Sequence, residues 1–216
     1  MQKDVRSLLF TYLIFGIAMA YLESAIVVYL RLLYYPDGFQ FPLIQIPLPV
    51  ALTEIGREAA TIVMLWFVAR MGGRTFKERF ALFIFSFGIW DIFYYIWLKV
   101  LINWPHSWLE WDILFLIPLP WVGPWLAPAL VSAGFLFAAY CILNYPQKFP
   151  DKILSKGEWW LEIAAAVLIL ASFFWETAKV LQGGIPEYYP WLLFVLAYVT
   201  GLTVFFKRYF RKSPTP

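Results

Sequence analysis

Long apolar runs separated by short polar segments dominate the pattern along this chain. A transmembrane helix needs about 20 predominantly apolar residues, and six runs reach or approach that length. The pattern therefore predicts an all-α integral membrane protein with a bundle of six transmembrane helices in one domain, followed by a short basic cytoplasmic tail at 207–216. The predicted spans are residues 8–30, 48–69, 80–102, 125–143, 159–181 and 191–206.

The apolar run that contains the fourth span is too long for one straight helix. It extends from Asp112 to Tyr145, and its first half holds four prolines, Pro118, Pro120, Pro124 and Pro128. Proline interrupts a helix because it lacks a backbone donor and clashes with the preceding turn. We predict a proline-broken or re-entrant segment at 113–121 and a helix that starts near Trp125. Irregular backbone at membrane depth persists only when protein or a wet cavity surrounds it, so this segment should cover a polar site.

The first apolar run also has features of a secretory signal peptide. A basic start precedes the apolar stretch, and Ala18-Met19-Ala20 has the small-residue pattern of a cleavage site. The run continues beyond that site to Leu30. This continuation favours an uncleaved first transmembrane helix.

Composition agrees with a chain whose solvent is lipid. The 216 residues are 62% hydrophobic, 21% aromatic and 14% charged, whereas soluble domains have about 25% charged residues. The lipid bilayer is therefore the expected main partner.

Basic residues in the polar segments predict how the helices are oriented. Lys and Arg concentrate in short cytoplasmic loops. In the six-span topology 13 of the 17 cations fall on one side, which predicts a cell membrane location with both termini cytoplasmic. Contacts with lipid headgroups and topology explain these clusters, so nucleic acid is not an expected partner. The cations on that side are Lys3, Arg6, Arg70, Arg74, Lys77, Arg79, Lys148, Lys152, Lys156, Lys207, Arg208, Arg211 and Lys212.

Several ionisable residues lie inside or beside the predicted spans, where an exposed charge costs about 2.5 to 3.5 kcal/mol at the helix centre. At 1.5 Å per residue, Glu23, Glu54, Glu58 and Glu176 lie about 8 to 15 Å below the outer membrane boundary. Helical spacing places the polar residues of each span on one face. The predicted site residues are Glu23, Glu54, Arg57, Glu58, Asp91, Tyr95, Lys99, Asp112 and Glu176.

These depths predict an outward-facing pocket. We expect Glu23, Glu54, Arg57, Glu58 and Asp91 to converge, with Glu176 at the margin of the pocket. The spans contain five carboxylates and three cations. Carboxylates that lie close together in a low dielectric cannot all ionise. The pocket should therefore hold a proton or a bound cation. The alternative is that the charges form structural ion pairs. Such pairs would join Arg57 to Glu54 or Glu23, and Lys99 to Asp112.

Three classes of function follow from this pocket. The first is binding of a cation, a proton or an amphipathic ligand such as a quinone or a lipid headgroup. The second is an enzyme that acts on a lipid-linked substrate from the outer face, with Glu54, Glu58 or Asp91 as general acid or base and Arg57 holding an anionic group. The third is a structural helical subunit of a larger membrane complex.

The counts of cysteine and histidine limit the cofactors. Cys141 is the only cysteine and His106 the only histidine. The sequence therefore excludes a cysteine-bound cluster and a haem held by two histidines of this chain. It does not identify a cofactor.

Overall fold

Helices account for most of the residues that the computed structural model describes, which are residues 5–149 and 154–210. Two short strands and a 3-10 turn at Pro146–Lys148 complete the elements. The helices are α1 (Val5–Tyr34), α2 (Leu48–Gly72), α3 (Phe76–Ile102), α4 (Leu126–Asn144), α5 (Lys156–Phe173), α6 (Thr177–Leu181) and α7 (Trp191–Phe210), and the strands are β1 (Trp111–Phe115) and β2 (Trp121–Pro124).

Five helical segments are long and apolar enough to cross a membrane. They are α1, α3, α4, the segment that joins α5 to α6, and α7. This arrangement fits a multi-pass membrane protein. The helix α2 has the length of a span but is not among the five, and it carries Glu54, Arg57 and Glu58.

Local signals explain where several helices begin and end. The Thr75 side chain accepts a hydrogen bond from the Glu78 amide at the start of α3, and Ser155 forms a capping box with Glu158 at the start of α5. Asn103 ends α3 with a φ of 54°, a left-handed conformation that asparagine tolerates better than most residues.

Two helix limits differ in detail from the sequence prediction. The predicted span at 159–181 lies within the segment Lys156–Leu181, which is long and apolar enough to cross a membrane, and a turn at 174–176 divides this segment into α5 and α6. The predicted tail at 207–216 begins within α7, which continues through Phe210. Apolar and aromatic residues on both sides of Lys207 and Arg208 extend the helix, and positions 211–216 lie outside the described residues.

The proline-rich segment forms an antiparallel hairpin of β1 and β2. This confirms that no helix runs unbroken from Asp112 to Tyr145, but the two-stranded sheet itself departs from the all-α prediction. The prolines at 118 and 120 lie in the connection between the strands, where no ladder hydrogen bond is required of them. The Thr177 hydroxyl donates to the Pro120 carbonyl at 2.7 Å, so the hairpin is attached to α6.

The helix α3 lies at the centre of the larger part of the fold. It packs against α1, α2 and α4, whereas α5 and α7 pack mainly on each other. The helices α3 and α4 approach closely at Gly88. A Cβ atom at this position would lie only 2.9 Å from the Ser132 carbonyl oxygen, so the close packing requires glycine. We call the end of the bundle with the hairpin the hairpin end and the end with residues 73–75 the opposite end.

Candidate functional site

The Arg57 cluster consists of Glu23, Glu54, Arg57 and Thr61. Arg57 forms ion pairs with Glu23 on α1 and, through Nη2 at 2.8 Å, with Glu54 one turn earlier on α2. The fully buried Thr61 hydroxyl donates to Glu23 at 2.6 Å. The pairing of Arg57 with both acids is confirmed. These contacts satisfy the guanidinium within the protein and tie α1 to α2.

Glu58 lies beside this cluster and connects α2 to the hairpin. Its Oε2 accepts a hydrogen bond of 2.8 Å from the Leu116 amide, which follows β1. Its side chain is buried. The structure therefore brings Glu23, Glu54, Arg57 and Glu58 to one region, as the sequence predicts.

A second buried ion pair lies near the hairpin end. Arg31 Nη2 contacts Asp112 Oδ1 at 2.9 Å, and its guanidinium carbon lies 3.8 Å from the centre of the Trp104 ring. Cation–π contact of this kind adds to the ion pair when the group is desolvated.

The sequence analysis assigned the wrong partner to Asp112. It paired Asp112 with Lys99 and ended the first span at residue 30, but α1 continues through Tyr34 and Arg31 is buried in it. Lys99 instead donates to the carbonyl oxygens of Pro105 at 2.9 Å and Asn103 at 3.4 Å. Those carbonyls follow the end of α3, where helix carbonyls lack helical partners.

Asp91 contacts α4. Its Oδ2 accepts a 2.8 Å hydrogen bond from the fully buried Ser132 on that helix. Because α3 packs against α1, α2 and α4, its polar residues face different neighbours. The convergence of Asp91 with Glu54 and Glu58 stays a prediction.

Glu176 immediately precedes α6. Its carboxylate accepts a hydrogen bond from the Glu187 amide at 3.3 Å. Lys179 contacts Glu187 at 3.1 Å and Glu176 at 3.9 Å. These contacts attach the segment before α7 to α6. The position of Glu176 at the margin of the pocket stays a prediction.

Tyr95 and Lys99 line a separate pocket of about 440 Å³ near the hairpin end. Residues of α3, the loop after it and the start of α4 form its walls, including Trp108 and Trp125, whose rings stack with centres 5.5 Å apart. This pocket contains predicted site residues but none of the Arg57 cluster. The site residues predicted from the sequence therefore lie in more than one pocket or cluster.

The sequence analysis missed a cavity of about 500 Å³ that lies between α3 and α4 on one side and α5 and α7 on the other. Side chains from α3, α4, α5, α7 and the hairpin line it, and most of them are aliphatic or aromatic. Two acids reach its wall, Asp91 on α3 and Glu162 on α5. Trp90 also lines it, and its buried Nε1 has no hydrogen-bond partner among the described residues.

The cavity has the chemistry of a site for an organic ligand. Sites for small molecules are mostly apolar, with a few polar groups that fix the orientation of the ligand. Within residues 5–149 and 154–210, no group of three or more His, Cys, Asp and Glu side chains is placed to hold a metal ion. The carboxyl groups of Asp91 and Glu162 are polar groups in mostly apolar walls.

Comparison with protein-family models, curated proteins and solved structures gave no match to this chain.

Proposed function

We propose that this chain is a multi-pass membrane protein that binds an amphipathic ligand in the cavity between α3, α4, α5 and α7. The observation that supports the proposal best is the cavity itself, about 500 Å³ in volume and apolar except for a few polar groups. Its volume lies within the range of about 300 to 1,000 Å³ that is usual for small-molecule sites. The ligand would have a bulky apolar body and at least one polar group.

Asp91 is the residue proposed to orient the polar group, because it lies in the wall of the cavity. Asp91 would be held for the ligand by Ser132, which fixes one of its oxygens.

The contacts of Arg57 support a structural role for the Arg57 cluster. Its guanidinium already has two carboxylate partners, and one of their oxygens accepts from Thr61. A ligand would have to break these contacts to reach the charges. We therefore place the ligand in the cavity and not in the predicted Arg57 pocket.

A photoactivatable long-chain alcohol that carries a diazirine tests the proposal. The purified protein in nanodiscs is irradiated with the probe, and mass spectrometry identifies the labelled residues. We expect label on cavity residues such as Val131 and Ile169, and loss of that label in Ala166→Phe, which fills the cavity wall. The matched control is Ala133→Phe, because Ala133 is exposed on α4 and does not line the cavity. Equal labelling of all three proteins would refute ligand binding there.

We further propose six spans, with α2 as the second, in the cell membrane with both termini cytoplasmic. The 13 cations on one side of the chain support this orientation. Cysteines placed at Ser107 and Ser155, in a background that lacks Cys141, should react with a membrane-impermeant reagent from opposite faces. Reaction of both from the same face would contradict the topology.

A further inference from the structure

The walls of the cavity carry acidic groups without matching basic groups. Asp91 and Glu162 are its two carboxyl groups, and none of its described lining residues is Lys, Arg or His. Charged groups in an apolar environment are costly unless they are paired. A ligand that brings a positive charge would supply the missing partner.

Glu162 is the clearest unpaired acid in this region. Its side chain is half-buried, and it forms no hydrogen bond or ion pair with any described residue. On the facing helix α7 stands Gly201, and a side chain there would lie 3.0 Å from Glu162 Oε2. The glycine therefore leaves space beside the carboxyl group, where a larger residue would cover it.

The two acids lie at different depths of the cavity. A ring contact between Phe80 and Trp159 aligns α3 with α5. Asp91 is eleven residues beyond Phe80 and Glu162 is three residues beyond Trp159, so Asp91 lies about 12 Å further toward the hairpin end. The two acids are therefore separated by about 12 Å along the helix axes.

Aromatic rings form much of the surface between the acids. Ten of the 29 lining residues are Phe, Trp or Tyr. Aromatic faces attract cations by about 0.5 to 2 kcal/mol, most strongly where water is excluded, and they also pack well against aromatic ligands. The two acids, the aromatic rings and the absence of Lys, Arg and His among the described lining residues all favour a ligand with a positive charge and an apolar body.

We infer that the cavity accepts lipophilic cations, which are molecules with a bulky apolar body and a quaternary or delocalised positive charge. This inference rests on the proposed function and specifies its ligand. The apolar body lies among the aromatic rings, and Asp91 and Glu162 provide the opposite charge. An anion of the same shape is disfavoured, because a like charge beside a desolvated carboxylate is repelled.

Tetraphenylphosphonium and tetraphenylborate form a matched pair of probes, since they have nearly the same shape and opposite charge. Isothermal titration calorimetry of each probe is performed with the protein in nanodiscs of zwitterionic lipid, and the signal of empty nanodiscs is subtracted. We expect saturable binding of the phosphonium and at least about tenfold weaker binding of the borate. Equal or tighter saturable binding of the borate would overturn the inference.

Substitutions assign the selectivity to the two acids. Glu162→Gln and Asp91→Asn should each weaken phosphonium binding about tenfold, since each removes one charge from a low-dielectric wall. Glu187→Gln is the control, because Glu187 is exposed and pairs with Lys179 outside the cavity. Thermal unfolding of each variant confirms that it is folded. Unchanged phosphonium affinity in both folded acid variants would overturn the inference.

The two proposals fail in different ways. If the neutral diazirine alcohol labels the cavity but the phosphonium does not bind, the inference about charge is wrong and the proposed function stands. If Ala166→Phe changes neither the labelling nor the phosphonium binding, both are wrong.

Discussion

The Arg57 cluster and the cavity both contain buried acids, but the surroundings of those acids differ. Around Arg57, Glu23 and Glu54 have a cationic partner, and Thr61 adds a hydrogen bond from the next turn. In the cavity, Asp91 has a serine hydroxyl and Glu162 has no partner among the described residues. The first arrangement joins α1 to α2, whereas the second leaves two acids without a cationic partner among the described residues.

This comparison shows that the depth of a charge does not reveal its role. Glu54 and Asp91 both lie well inside helices, and either could be proposed as a functional acid from the sequence. The partner decides the difference: Glu54 pairs with Arg57 of its own helix, whereas Asp91 accepts a hydrogen bond from Ser132 of the neighbouring helix α4. Predictions that alter the partner of each acid therefore test the comparison directly.

Arg57→Met should have the largest effect on stability. It leaves Glu23 and Glu54 buried without a cation, and breaking a buried ion pair by removing one partner costs about 3 to 5 kcal/mol. Denaturant titration in detergent measures the loss in the free energy of unfolding. The triple variant Glu23→Gln, Glu54→Gln, Arg57→Met should recover most of it. A loss below about 1 kcal/mol for Arg57→Met would contradict the structural role of the cluster.

Ser132→Ala should have a smaller effect, about 1 to 2 kcal/mol, because Asp91 then loses its hydrogen bond inside the protein. Ser86→Ala is the matched control. Ser86 is also fully buried, but its hydroxyl donates to the Leu82 carbonyl of its own helix. The same titration compares both variants. Equal losses would mean that the Asp91 contact adds nothing to the stability of the α3 and α4 pair.

Glu110 is a paired acid that lies outside the helices. Its contribution to the stability of the surrounding loop should depend on pH. Partial burial alone would raise the pKa of Glu110, but hydrogen bonds from His106 and Ser107 hold it below the ordinary value for glutamate. A depressed pKa in the folded state means that the stabilisation is present above the unfolded pKa and is lost as pH falls through the folded pKa.

Hydrogen exchange of the His106 and Ser107 amides measures this local effect. We expect protection at neutral pH that declines as Glu110 is protonated in acid. Glu110→Gln should weaken the protection and remove its dependence on Glu110 titration. Protection that stays constant through the acidic range in the unaltered protein would refute the role of the carboxylate.

Glu162→Gln should have the smallest effect on stability, within about 0.5 kcal/mol. No described partner is orphaned by the change, and the uncharged amide is cheaper to keep in an apolar wall. The free energy of unfolding, measured without ligand, is the test. A destabilisation comparable to that of Ser132→Ala would mean that Glu162 has a structural role and would weaken the contrast between the two regions.

The sequence predicts the helices better than the partners of their polar residues. Apolar runs long enough for a membrane locate α1, α3, α4 and α7 within a few residues, since lipid requires every backbone group to be satisfied inside the segment. The four prolines predict the break before α4. They do not predict a β-hairpin, because proline only excludes a helix and leaves the alternative to tertiary contacts such as that of Thr177 with Pro120.

The candidate site could be predicted only in part for a related reason. Glu54, Arg57 and Glu58 lie within two turns of one helix, so their proximity follows from local spacing. Glu23 and Asp91 required knowledge of which helix packs beside which, and of these Glu23 forms an ion pair with Arg57. The cavity was not predictable, because it exists between α5, α7 and the rest of the fold and no single segment encodes it.

The separate packing of α5 and α7 has a consequence for biogenesis. Helices enter a membrane in the order of synthesis, so α1 to α4 and the hairpin are complete before α5 emerges, and α3 already has its main neighbours. The last helical pair then arrives as a unit with its own capped start at Ser155 and closes the space that becomes the cavity. With that order of insertion the cavity would be the last part of the fold to be completed, when α5 packs against β2 and α7 packs against α4.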